Sequence, residues 1–242
     1  ACASHKMGKS KCFGNLPTTQ SEHRGRMTAS IVSSSQVTSP LPATTPRGDK
    51  PGLIHVLAIG GPHQLPHIVP VACELEKRHP GTVKVFLLKA ADARAVADLA
   101  AGIGLPLPAL TEMRLPPALH AVTPRFARKL AGLLYWSPLL RDAELILCAE
   151  RTSTILPRIW NECPPLVHIP HGAGDRAVGF EERFELFDHV IVVGSKDRDR
   201  LLKGGLVTSE NCTAAGPIKL AAMLRAGIDR EPLFTNGRKT IL

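Results

Sequence analysis

His171, Gly172, Gly174, Asp175 and Arg176 place an imidazole, a carboxylate and a guanidinium within six residues, separated by glycines. A neutral imidazole can take a proton near pH 7. Glycine lets the backbone turn tightly and come close to a ligand, and a guanidinium pairs with negative charge. His171 is the candidate general base, and Asp175 is the second catalytic candidate. A loop that only hydrogen-bonds to itself uses the same residue types, so these residues alone leave a functional and a purely local reading level.

Four other clusters share this small-and-polar character. They are Gly60-Gly61-Pro62-His63, Glu150-Arg151-Thr152-Ser153, Gly194-Ser195-Lys196 and Gly216-Pro217-Ile218-Lys219. The candidate substrate-binding residues are Gly60, Gly61, His63, Glu150, Arg151, Thr152, Gly172, Gly174, Arg176, Ser195 and Lys196. Glu150 and Arg151 can act on a ligand or pair with each other to hold their loop. Lys196 and the charged run after it also suit a solvated helix face. His168 is expected as a satisfied histidine within a strand. No GxGxxG stands here, so a dinucleotide site is unsupported.

What must position these clusters is a series of short apolar runs. Leu53–Ile59, Thr82–Leu88, Glu144–Ala149, Leu166–Ile169, Phe187–Val193 and Asn211–Ala215 have strand length, and Ala109–Arg114 is a weaker candidate. Between them lie helical segments. Pro66 opens one, with Ile68, Val69, Val71, Ala72 and Leu75 as its apolar face. Asp92 is expected to cap the next. Residues 118–140 read as a helix with Phe126, Leu130, Leu133 and Leu134 at core spacing, and with Pro124 and Pro138 as kinks or ends. Thr152 or Ser153 is expected to cap a helix reaching Trp160, and Ser195 one carrying Leu201 and Leu202. A last helix runs from Ile218 to about Ala226. This alternation predicts an α/β fold: a Rossmann-like parallel sheet with helices on both faces. All the clusters then fall on one edge of the sheet. Helix N-termini follow most of them, and Arg151, Arg176, Lys196 and Lys219 add positive charge, which favours an anionic, phosphate-bearing ligand.

The 242 residues, 44% hydrophobic, suffice for one core and no run is long enough to span a bilayer. Six cysteines (Cys2, Cys12, Cys73, Cys148, Cys163, Cys212) show no metal-ligand spacing, and Cys73 and Cys148 read as buried free thiols. A reducing cytoplasm, no metal and no cofactor are expected. Of the +9 net charge, five units lie in residues 1–51, and aromatics are only 4%, so nucleic acid is not expected as a partner. Residues 1–51 have the Ser/Thr/Pro-rich composition of a disordered tail, with Met27 as a candidate start. Residues 52–227 form the Rossmann-like domain. Residues 228–242 are expected to be a linker and the first strand of a truncated second α/β domain.

Three segments carry a family resemblance. Val167-His168-Ile169-Pro170-His171-Gly172, followed by Val178-Gly179-Phe180, is similar to the strand-His-Gly segment of CDP-glycerol:poly(glycerophosphate) glycerophosphotransferases. Ala215-Gly216-Pro217-Ile218-Lys219-Leu220 resembles their interdomain segment. Gly237-Arg238-Lys239-Thr240-Ile241-Leu242 looks like the opening of their nucleotide-binding domain. UDP-N-acetylglucosamine 2-epimerases and related glycosyltransferases are the next resemblance. Pro170 replaces the usual aromatic before His-Gly, and Gly172-Ala173-Gly174-Asp175 stands where Thr-Pro is usual, which leaves the donor open. The resemblance implies the N-terminal, acceptor-side domain of a GT-B transferase with His171 catalytic. Its partners would be a nucleotide-activated donor (CDP-glycerol or a UDP-sugar) and a hydroxyl acceptor, with peripheral association at the inner membrane face. A fragment without the donor domain would be inactive alone. An epimerase, or a non-catalytic truncated α/β binding domain, are the alternatives.

Overall fold

The computed structural model describes residues 52–172 and 181–227. The expected tail (1–51), the loop with Gly174, Asp175 and Arg176, and the expected linker (228–242) lie outside the described residues. Within them, seven strands form one sheet: β1 (Leu53–Ala58), β2 (Val83–Leu87), β3 (Ala109–Glu112), β4 (Ala143–Cys148), β5 (Leu166–His168), β6 (His189–Val192) and β7 (Cys212–Ala214). Their order is β3-β2-β1-β4-β5-β6-β7, and every neighbouring pair is parallel. The helices are α1 (Leu65–Arg78), α2 (Ala91–Gly102), α3 (Pro117–Val122), α4 (Arg128–Leu140), α5 (Leu156–Ile159), α6 (Ser195–Lys203) and α7 (Ile218–Arg225). The fold is the expected Rossmann-like α/β arrangement.

β1 shows why the runs are apolar but for an occasional residue such as the buried His55. Leu57 and Ile59 enter one core, with Leu133 and Leu140 of α4, Leu156 of α5 and Leu201 of α6. Val56 and Ala58 enter the other, with Ile68, Val69 and Ala72 of α1 and Val96 of α2. A strand covered by helices on both faces needs apolar side chains at nearly every position. α7 returns across the second face. Ile218 and Ala222 pack there, and Arg225 reaches Glu74 of α1 at 3.2 Å. Cys73 and Cys148 are buried free thiols, as expected, and burial pushes the Cys148 thiol up to about 12.

Several local expectations are corrected. The segment 118–140 is not one helix: α3 ends at Val122, a 3-10 turn spans Arg125–Ala127, and α4 begins at Arg128. Pro124 breaks it, since a proline ring disfavours helical backbone in the residue before it. Only Leu133 of the four expected core residues is buried; Phe126 is 90% exposed, and Leu130 and Leu134 are exposed too. Pro138 neither ends nor starts α4 but lies inside its last turn. Asp92 does not cap α2, where Ala90 is the N-cap and Asp92 is buried in the first turn. Neither Thr152 nor Ser153 caps a helix, because a 3-10 turn over Arg151–Ile155 precedes α5. Ser195 is the first helical residue, and Gly194, with extended backbone, holds the cap position of α6.

Candidate functional site

The strand order changes direction between β1 and β4. In a doubly wound sheet the helices after two such strands diverge to opposite faces, leaving a crevice beyond their carboxyl ends. Here α1 leaves β1 for one core and α5 leaves β4 for the other. The crevice is therefore bounded by the turn 60–64 after β1 and the turn 149–155 after β4. The end of β5 adds His171 beside them.

His171 is exposed, and its Nδ1 lies 3.0 Å from the carbonyl oxygen of Ala149, just beyond β4. A carbonyl only accepts, so Nδ1 carries the hydrogen and donates it. The neutral ring then has its lone pair on Nε2, as a general base requires. His63 stands edge-on to His171, with ring centroids 6.1 Å apart. His67, one turn further along α1, completes the group. Partial burial first, then the charges of Lys219, His171 and His63, hold the His67 imidazole below its usual range. Three imidazoles and one ammonium thus lie within electrostatic range of one another near the start of α1, and the Lys219 ammonium supplies the positive charge of the group.

On the other side of the turn, Gln64 is 1% exposed and its Nε2 donates to Glu150 Oε1 at 2.6 Å. Lys129, at the start of α4, lies 3.2 Å from Glu150 Oε2. The Glu150 carboxylate is therefore fixed at the switch point between an amide and an ammonium. Glycine at position 60 has a packing cause: the Gln64 side-chain amide occupies the space where a Cβ would stand. Gly61 has φ 103°, a conformation that favours glycine. At Gly172 a Cβ would meet open space.

Glu150 and Arg151 do not pair with each other as one of the two readings had it. Arg151 extends instead to Glu181, with Nη1 2.7 Å from Oε1, and Glu181 also holds Arg183 at 2.9 Å. Thr152 follows in the same 3-10 turn. Ser195 and Lys196 are exposed at the start of α6, on the same rim but beyond β6 rather than at the switch point. His168 is buried between Phe184 and Phe187, with centroids at 5.2 and 4.9 Å. It departs from the expected satisfied histidine, because its Nδ1 has no hydrogen-bond partner among the described residues. Burial, then the charges of His171 and Arg151, push it down to about 3. Gly174, Asp175 and Arg176 lie outside the described residues. Among the described residues no three His, Cys, Asp or Glu side chains are grouped to hold a metal ion, and no helix is long and apolar enough to cross a membrane.

Sequence reasoning brought together His63, Glu150 and His171 but missed Gln64, His67 and Lys129. The His63–His67 spacing of four was a usable signal, since such residues share a helix face. Nothing in the sequence pointed from Lys129 to Glu150.

No protein-family model matches the sequence, and no curated protein matches it. Among solved structures the fold is similar to that of a UDP-GlcNAc 2-epimerase from Neisseria meningitidis, determined bound to UDP-GlcNAc. The TM-score is 0.53 at 13% identity, over 71% of this chain and 49% of that one. The chain thus shares a Rossmann-like fold with part of that structure and spans about half its length.

Proposed function

We propose that this domain is the acceptor-side half of a GT-B-type transferase, moving a glycosyl or glycerophosphate group from a nucleotide-activated donor to a hydroxyl acceptor. The observation that carries this reading is the orientation of His171. A backbone carbonyl holds its Nδ1–H, and the ring stands exposed at the switch-point crevice with Nε2 free to accept a proton. Nε2 takes the acceptor's hydroxyl proton as that oxygen attacks the anomeric carbon or phosphorus of the donor. The bond from the donor's nucleotide oxygen to that centre breaks, and the nucleotide leaves with the negative charge. In this reading His63, His67 and Lys219 lie on the side where that charge develops. Gly174, Asp175 and Arg176 follow His171 in the sequence, and in this reading they contribute to acceptor binding and catalysis beside it. A second α/β domain carries the nucleotide, which is CDP-glycerol or a UDP-sugar, and this domain alone does not turn over.

In the full polypeptide that contains this sequence, His171→Ala is expected to lower turnover by about 10²-fold or more. Its circular dichroism should match wild type. Activity within a few-fold of wild type would remove His171 from the mechanism.

A second reading is a nucleotide-sugar 2-epimerase. It is favoured by the structural neighbour, and by a carboxylate, Glu150, fixed at the switch point near an imidazole base. Proton NMR of a UDP-sugar incubated without acceptor separates the two. Accumulation of the epimer supports this reading, and product that forms only when an acceptor is added supports the transferase.

A further inference from the structure

We propose that Arg151 is a positioning residue: its ion pair with Glu181 holds the segment that His171 opens, and so keeps that imidazole in the orientation a base needs. The consequence for turnover rests on the reading of His171 as a base, whereas the orientation of the ring does not. Three consecutive residues beyond β4 reach four separate parts of the rim, each through a different group. The Ala149 carbonyl accepts from His171 Nδ1 at 3.0 Å. The Glu150 carboxylate holds Gln64 and Lys129. The Arg151 guanidinium crosses to Glu181, with Nη1 2.7 Å from Oε1. The turn that carries these groups is firm. Ala149 and Ser153 are fully buried, and Thr154 Oγ1 donates to the Arg151 carbonyl at 2.8 Å. His171 and Glu181 are ten residues apart, so this one turn ties both ends of the segment between them. Neither tie is strong alone. A neutral hydrogen bond at an exposed ring competes with water, and the side chains of the ion pair are 31% and 39% exposed. Together they reinforce each other, because a segment held at one end keeps its other end close to its partner. The rigid fork of an arginine suits that use. Arg183 also meets Glu181, at 2.9 Å, but it lies two residues further along, so this bond stays within one segment.

The test is proton–nitrogen correlation NMR of the full chain, in which the two ring nitrogens of a neutral imidazole report which one carries the hydrogen. The His171 signals are identified by their loss in His171→Ala. At about pH 8, where an ordinary imidazole is neutral, wild type is expected to show the Nδ1–H form. In Arg151→Gln and in Glu181→Gln the hydrogen should redistribute over both nitrogens. The double variant should match either single one, because all three lose the same contact. Glu181→Gln keeps the Arg151 charge, so a shared result is not an effect of that charge. Arg151→Lys should recover part of the wild-type pattern, and Arg183→Gln should keep all of it. In the full polypeptide that contains this sequence, the two Gln variants should lower kcat by about tenfold at unchanged KM. Their melting temperatures should stay within a few degrees of wild type. An unchanged Nδ1–H form in Arg151→Gln or Glu181→Gln overturns the proposal, and so does the same redistribution in Arg183→Gln. Redistribution with unaltered turnover upholds Arg151 as the residue that orients the ring and counts instead against His171 as the base.

Discussion

Lowering the pH from 7.5 to 5 should destabilise this domain through one buried ring. His168 is 5% exposed at the end of β5, packed against Phe184 and Phe187, and its imidazole is pushed down to about 3. In the unfolded chain the same ring titrates near its ordinary 6.5. Below 6.5 the unfolded state therefore binds a proton that the folded state refuses. The stability present above pH 6.5 is lost at about 1.4 kcal/mol per pH unit, down to the folded value. Between pH 7.5 and 5 the accumulated loss is about 2 kcal/mol, a large share of the roughly 5–15 kcal/mol that holds a domain together. His55, buried in β1 and also lowered by desolvation, adds a loss of the same sign. The assay is urea unfolding of wild type and His168→Leu at half-unit steps of pH. Leucine also changes stability by an amount that does not depend on pH, and the subtraction of the two curves isolates the titration. Wild type should lose about 2 kcal/mol more than the variant over this range. Parallel curves would refute the argument, because they would mean that the folded state admits the proton as easily as water does.

Three further outcomes follow from the site and the core. Gly60→Ala should lower the melting temperature, because the new methyl would stand where the buried Gln64 side-chain amide lies and would force it off Glu150. It should also lower activity of the full polypeptide through loss of the bond to Glu150, and Gln64→Leu should reproduce that loss; full activity in both would remove the Gln64–Glu150 pair from the site. Cys148, with its thiol pushed up to about 12, should resist a thiol reagent at pH 8 until denaturant is added, whereas rapid labelling in the folded state would contradict its burial. Leu133→Ala, at the centre of the contact between α4 and the sheet, should cost about 2–5 kcal/mol in chemical denaturation. A loss under 1 kcal/mol would show that the cavity closes.

The sheet was legible because its strands are covered on both faces. Leu53–Ile59 could be read directly as buried β, since no polar alternation was required of it. The segment 118–140 was not legible in the same way. Leucines three and four apart mark a helix face, but the spacing does not say whether that face meets a core or stands in solvent, and Phe126 stands in solvent. Capping failed for a related reason. A cap needs extended backbone at the right residue, and Gly194 has it where Ser195 is already helical. In the site, His171 was readable because strand ends on one rim are fixed by topology. The partners of Glu150 were not, since its chain neighbour Arg151 turns to Glu181 while Gln64 and Lys129 arrive from elements far away in sequence.

The return of α7 onto α1 also sets an order of events during translation. The ribosome releases Glu74 about 150 residues before Arg225, its partner at 3.2 Å. Until the segment with Ile218 and Ala222 has left the exit tunnel, the face that includes Val167, Ile169 and Ile191 lacks these two contacts. β6 and β7 must also wait for their places at one edge. Domains of such long sequence separation close late and expose sticky intermediates while they do. A nascent chain stalled before Ile218 should therefore recruit chaperones that the released protein no longer needs.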